Sequence, residues 1–170
     1  MKNTDVSLKT PSGTFNYRVG AIILCNDGLL MAQNNETSHY YSVGGRVCFG
    51  EPLENAVRRE VFEETSVNME IDRLVYIHEN FFLWGHEQTP FHEIAFFYLM
   101  KFNEEIRNRL FRTVKEPYGR VSLDWIPVEN LGDTHLYPEF FKTEIRHLRS
   151  NAVNTVRHFI TKDGVTSQLR

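Results

Sequence analysis

The chain has 170 residues, 41% of them apolar and 24% charged, with a formal net charge of −3. This balance suits one globular domain, and no apolar run reaches the roughly 18 residues that a membrane helix needs. The acidic balance also argues against duplex nucleic acid as a partner, because non-specific binding of that kind draws on a basic field that displaces counterions from phosphates.

The N-terminal MKNTDVSLKTPSG has no basic segment followed by an apolar one, so no secretion signal is expected; the expected compartment is the cytoplasm. Residues 1–16 are expected at the periphery of the domain. Tyr17 to Leu24 is apolar and β-branched, Asn26-Asp27-Gly28 offers turn residues, and Leu29 to Gln33 is apolar again, which predicts a β-hairpin. Asn34 to His39 is loop-like, and Tyr40 to Val43 leads into Gly44-Gly45, where the backbone can adopt conformations closed to other residues. Pro52 to Glu64 is predicted as a helix, with proline in the first turn and no glycine inside. Met69 to Asn80 and Glu93 to Phe102 read as two paired strands around a mobile tip, Gly85 to Pro90. A short helix at Asn103 to Arg112, a strand at Val121 to Val128, a helix at Pro138 to Ser150 and a closing strand at Thr155 to Thr161 complete the expected elements. Cys25 and Cys48 have no CxxC or Cys/His spacing and read as reduced thiols in or near the core.

The chemistry concentrates on the helix from Pro52. At about 100° per residue, Glu60 and Glu64 stack one above the other with Glu63 on the flank. Leu53, Ala56 and Val57 fall on the same stripe, while Glu54, Asn55, Arg58 and Phe62 lie around the opposite half. Two carboxylates thus extend a stripe that faces the body of the protein. Like charges at this spacing weaken a helix by roughly 0.2–0.5 kcal/mol, and carboxylates turned inward lose hydration. A bound cation answers both costs. On a solvated face, by contrast, Arg59 would simply pair with Glu63 one turn away. Carboxylate oxygens are hard ligands, so Mg2+ or Mn2+ is the expected cation.

The residues around this helix form a longer pattern: Gly45, five residues, Glu51, seven residues, Arg59-Glu60, Val61, Phe62, Glu63-Glu64, Thr65, Ser66, Val67. This segment closely resembles the signature of the Nudix hydrolases. It matches at every position except Ser66, where the family usually has glycine. Trp125-Ile126-Pro127-Val128-Glu129 further resembles that family's tryptophan-bearing strand with a short acidic stretch after it. The resemblance implies an α/β fold, an α/β/α sandwich around a mixed β-sheet, with the box as a loop, helix and loop at its edge.

It also implies roles. Glu60 and Glu64 would be the principal metal ligands, the Gly45 carbonyl an additional one, and Glu51 a member of the metal network through water. Arg59 would orient the carboxylates. The general base is left between Glu63 and Glu93. Tyr41 and Phe82, among the aromatics flanking the box and the Gly85 to Pro90 loop, are candidates for stacking on a substrate ring, and Arg46 for a phosphate. Ser66 is expected either to cost on the order of 1 kcal/mol in the left-handed conformation usual past a helix end or to end the helix differently, with at most a small shift in the last turn. The expected reaction is metal-dependent hydrolysis of a diphosphate linkage in a nucleoside diphosphate joined to another group, such as ADP-ribose or a nucleoside triphosphate. The contrasting expectation is a Nudix-like module that senses a nucleotide without cleaving it. Cap or oligonucleotide hydrolysis fits the acidic balance poorly. A homodimer is common among similar proteins and would draw on exposed aromatics.

Overall fold

A computed structural model of the chain describes residues 4–26, 28–34, 38–110, 113–116, 119–149 and 155–163. Two sheets form. In the first, β1 (Ser7–Thr10), β2 (Gly13–Ile22), β7 (Thr89–Met100), β6 (Ile71–Trp84) and β11 (Arg157–Lys162) lie side by side, and β5 (Gly44–Arg46) also pairs with β2. The second runs β10 (Leu136–Tyr137), β4 (Tyr40–Ser42), β3 (Gly28–Asn34), β9 (Gly119–Pro127) and β8 (Thr113–Glu116). Each is mixed: β2 with β7, β6 with β11 and β4 with β10 are parallel pairs. The helices are α1 (Leu53–Thr65), α2 (Glu104–Arg109) and α3 (Phe141–Arg149).

Side-chain alternation divides both sheets between two cores, since successive residues on a strand point to opposite faces. Val19 and Ala21 of β2, Leu30 and Ala32 of β3 and Val121 and Leu123 of β9 pack with Ala56, Val57 and Val61 of α1. Their neighbours Ile22, Leu29, Met31 and Ile126 pack with Phe141, Ile145 and Leu148 of α3. The sheets therefore form a middle layer with α1 on one side and α3 on the other, the α/β/α arrangement the sequence implied.

The predicted hairpin from Tyr17 to Gln33 forms only at its tip. Cys25 N–H donates to the Gly28 carbonyl and Leu30 N–H to the Ile23 carbonyl, at 3.0 Å each, and then the strands part into different sheets. Residues 19–22 of β2 and 28–32 of β3 are buried on both faces, and each strand takes another partner, β7 for β2 and β9 for β3. The hairpin of β6 and β7 is longer than expected, running to the Trp84–Thr89 pair, because aromatics continue the ladder: Phe82 stacks on Phe91 at 5.2 Å. The short strands β1, β8 and β10 were not foreseen. Of the N-terminal segment expected at the periphery, β1 is an exposed edge, whereas Thr14 and Asn16 are buried inside the first sheet. Cys25 and Cys48 are buried and free, and among the described residues no helix is long and apolar enough to cross a membrane.

The box helix α1 starts after Pro52 and turns Ala56, Val57, Val61 and Glu64 inward, leaving Phe62 and Glu63 outside. Burying each valine stabilises by about 1.5–3 kcal/mol. That outweighs the like-charge cost of the stacked glutamates, so packing holds the carboxylates where they are. Past the helix end Ser66 has φ 58° and ψ 20°, and its N–H donates to the Phe62 carbonyl at 2.7 Å. The left-handed site is present with a Cβ on it. Because Ser66 is exposed, Ser66→Gly should relieve that strain and raise stability by about 0.5–1 kcal/mol. Urea denaturation checks this; an unchanged or lower midpoint would show that the left-handed turn costs nothing here.

Candidate active site

The site begins with the meeting of β5 and α1. Strand β5 pairs antiparallel with β2 through Gly20–Gly44, Val19–Gly45 and Arg18–Arg46. Gly44 has φ 144°, and a Cβ there would stand 2.3 Å from the Val19 carbonyl oxygen, so this crowded crossing admits only glycine. Gly45 faces the helix: a Cβ on it would lie 2.5–2.6 Å from the Glu60 carboxyl atoms. Gly44 N–H donates to Glu64 Oε1 at 2.6 Å. Two bare glycine backbones thus let both stacked carboxylates reach the strand.

Arg59 ties the surroundings together. Its Nε donates to Glu51 Oε1 at 2.9 Å, one terminal nitrogen reaches Glu60 Oε1 at 2.7 Å and Glu63 Oε2 at 3.2 Å, and the other reaches Glu51 Oε2 at 2.9 Å and the Arg46 carbonyl at 3.0 Å. Only a planar fork of donors can serve a bidentate carboxylate and three further acceptors at once. Glu51 also accepts from Cys48 N–H at 3.0 Å, so it fastens the loop before α1 to Arg59. The Arg59 hydrogen bonds hold the Glu51 carboxyl below its ordinary value, and Glu51 in return pushes the Arg59 guanidinium up. Burial moves Glu60 the other way, upward, helped by Glu63 and opposed by Arg59 and Arg18. Glu60 is therefore an inward carboxyl whose charged form gains from added positive charge.

The remaining expected residues are spread around this centre. Glu63 is 55% exposed on the flank of the helix. Glu93 sits on β7, on the far side of β2 from β5, and accepts from Asn16 Nδ2 at 2.9 Å and from Arg18 at 3.4 Å. Arg18 stands between the two groups, paired in register with Arg46 and acting on Glu60 through its charge. The Arg46 guanidinium pairs with Asp5 at 3.5 Å. Tyr41 lines a cleft together with Arg18, His78 and Glu93, whereas Phe82 stacks on Phe91 and lies outside that cleft. Among the described residues no three His, Cys, Asp or Glu side chains already converge as a cation cage.

Arg18, His78 and Asn80, which belong to no sequence motif, all line the cleft. Their signal was available: a charged or polar residue inside a strand that otherwise reads apolar. His78 is 5% exposed, and burial pushes its pKa down to about 4.

The chain belongs to the Nudix family: the model of the NUDIX domain matches residues 14–147. Pyrophosphohydrolase chemistry is accordingly its class of activity. Among solved structures it is similar to an ADP-ribose pyrophosphatase from Streptococcus suis, with 15% identity, 85% of this chain and 98% of that one covered, and a TM-score of 0.56. A NUDIX hydrolase from Nitrosomonas europaea gives 15% identity, 91% and 82% coverage and 0.58. A mutator MutT protein from Bacillus halodurans gives 15%, 87% and 89%, and 0.56. At these identities the likeness is one of fold. Comparison with curated proteins gives no match.

The Glu51 carboxyl, lowered in the folded chain, contributes stability that is complete above the ordinary value of 4.5 and is lost as pH falls through the folded-state value. Glu51→Gln should therefore cost roughly 1–3 kcal/mol at pH 7 and lessen the fall in stability between pH 5 and 3. Urea titrations at both ends of that range test it; parallel loss at every pH would mean that the charge of Glu51 is irrelevant.

Proposed function

We propose that this chain is a metal-dependent hydrolase that cleaves a diphosphate linkage in a nucleoside diphosphate joined to another group, such as ADP-ribose or a nucleoside triphosphate. One observation carries the reading: Glu60 and Glu64, one turn apart, both bear on the glycine backbone of β5 in a chain with every charged residue of the Nudix signature. The Streptococcus suis ADP-ribose pyrophosphatase shares the fold and lends the substrate class support.

The donor chemistry fits a hard divalent cation, Mg2+ or Mn2+. Glu60, Glu64 and the Gly45 carbonyl would hold it, and the bareness of Gly45 leaves the Glu60 carboxyl the space that a side chain would fill. When bound, the cation would neutralise charge on the diphosphate and ease deprotonation of the water that attacks phosphorus. The protein residues supply the rest. Arg59 fixes the Glu60 carboxyl by its 2.7 Å contact and keeps it from turning toward solvent. Glu51 holds Arg59 in that orientation, a task distinct from joining the metal network. Glu63, exposed on the same turn as Glu60, takes the proton of the attacking water. Glu93, already bonded to Asn16 and Arg18, shapes the adjoining cleft.

The intact set Arg59, Glu60, Glu63 and Glu64 favours hydrolysis over nucleotide sensing. With Mg2+, at least one nucleoside diphosphate derivative in a panel should release a monophosphate or pyrophosphate, and excess EDTA should stop it. Glu64→Gln should lower turnover roughly 10²-fold or more while leaving the thermal midpoint within a few degrees of wild type. Binding of a panel member with turnover of none would favour the sensor; an unchanged rate in Glu64→Gln would remove Glu64 from the metal site.

A further inference from the structure

Ladder partners on a sheet share a face, so the register of the first sheet aligns side chains in rows. One row crosses four strands: Asn16 on β2, Glu93 on β7, Asn80 on β6 and Thr161 on β11. The next row, two residues along each strand, is Arg18, Ala95, His78 and Phe159. Both rows contribute to the lining of the cleft, a cavity of about 110 Å³. One water needs roughly 10–15 Å³ on this measure, so the space suits a ring-sized group.

Strand β11 closes one end of these rows and lies beyond residues 14–147, the span of the NUDIX domain. It is firmly held. Phe159 stacks on Phe140 at 4.3 Å, His158 pairs with Glu79 at 2.8 Å, and Arg157 pairs with Glu144. This brings Thr161 Oγ1 to 2.9 Å from His78 Nε2 and adds Asp163 to the cleft wall.

The lining has a definite chemical taste. Its charged groups are Arg18 against Glu93, Glu139 and Asp163, and His78, with its lowered pKa, is neutral near pH 7. A further phosphate would meet carboxylates. Asn80 Oδ1 is buried with no hydrogen-bond partner among the described residues, and buried acceptors of this kind are costly until a donor reaches them. Thr161 spends one bond on His78 and keeps acceptor capacity. A ligand rich in donors and poor in charge satisfies all of these groups; Arg18, which lines the cleft, also acts on Glu60 through its charge.

We propose that β11 is the specificity wall of this enzyme, with Thr161 and Asn80 reading the hydroxyl groups of an uncharged sugar ring attached to the diphosphate, and with the acidic lining turning away a phosphate in that place. The inference rests on the hydrolase reading for the position of the diphosphate, but it is tested by binding. Affinities of ADP-ribose, UDP-glucose, ADP and UDP are measured by calorimetry in EDTA, so that no turnover intervenes. Wild type should bind at least one sugar-linked ligand about tenfold more tightly than its nucleoside diphosphate, because a site with built-in hydrogen-bonding groups rejects a ligand that leaves them unpaired. Thr161→Val, close to isosteric, and Asn80→Leu should each bring the ratio near one, and Thr161→Ser should restore it. Thermal midpoints verify that the variants fold. No preference in wild type, a preference that survives both variants, or an equal loss for all four ligands overturns the assignment. Turnover of the same compounds with Mg2+ separates the two readings: selective binding without turnover counts against hydrolysis and leaves the wall in place, whereas turnover without selective binding does the reverse.

Discussion

The close approach of β5 to α1 is the constraint on which the site depends. It needs glycine twice, for different reasons: Gly44 passes the β2 backbone where no Cβ fits, and Gly45 leaves room for the Glu60 carboxyl. Once the strand is that near, Gly44 N–H binds Glu64 and the Arg46 carbonyl binds Arg59, so the helix and strand are stitched on both sides of the acidic stripe. The valines beneath the stripe provide the energy that keeps the carboxylates inward. Relaxing any of these would let Glu60 and Glu64 turn to water, where two exposed acids on a helix have little affinity for a cation.

Arg18 and Arg59 divide the electrostatics between them. Arg59 is committed to the box, through Glu51, Glu60 and Glu63. Arg18, on the strand between, touches Glu93 and is felt at Glu60. The two arginines therefore mark out two compartments that share β2, one with the stacked glutamates of the box and one where Asn80, Thr161 and His78 sit among Glu93, Glu139 and Asp163. A phosphorylated metabolite with an uncharged end is complementary to that pair of environments.

The box was legible because its information is local. Glycine, glutamate and arginine at set spacings declare a helix with an acidic inward face, and the structure places Ala56, Val57 and Val61 beneath it as helical geometry requires. At Ser66 the sequence left open a left-handed turn or another helix end, and the structure takes the left-handed turn. The cleft was not, because its contacts join distant segments: Arg18 meets Glu93 across 75 positions and His78 meets Thr161 across 83. Neither pair has a spacing to recognise. The role of Glu51 likewise became visible only when Arg59 and Cys48 N–H were both found on its carboxylate. The partners of β2 and β3 were not legible either, because residues 19–22 and 29–32 are without a polar side chain on either face and offer no clue to which strand will lie beside them.

The proposed seat of the divalent cation is the Glu60–Glu64 face against β5. Paramagnetic broadening on addition of Mn2+ to 15N-labelled protein tests it most directly, because the effect falls steeply with distance from the ion. Loss of the amide signals of 44–46 and 60–64 before all others is the expected result. Early broadening elsewhere, with those residues unaffected, would contradict a cation held by this face.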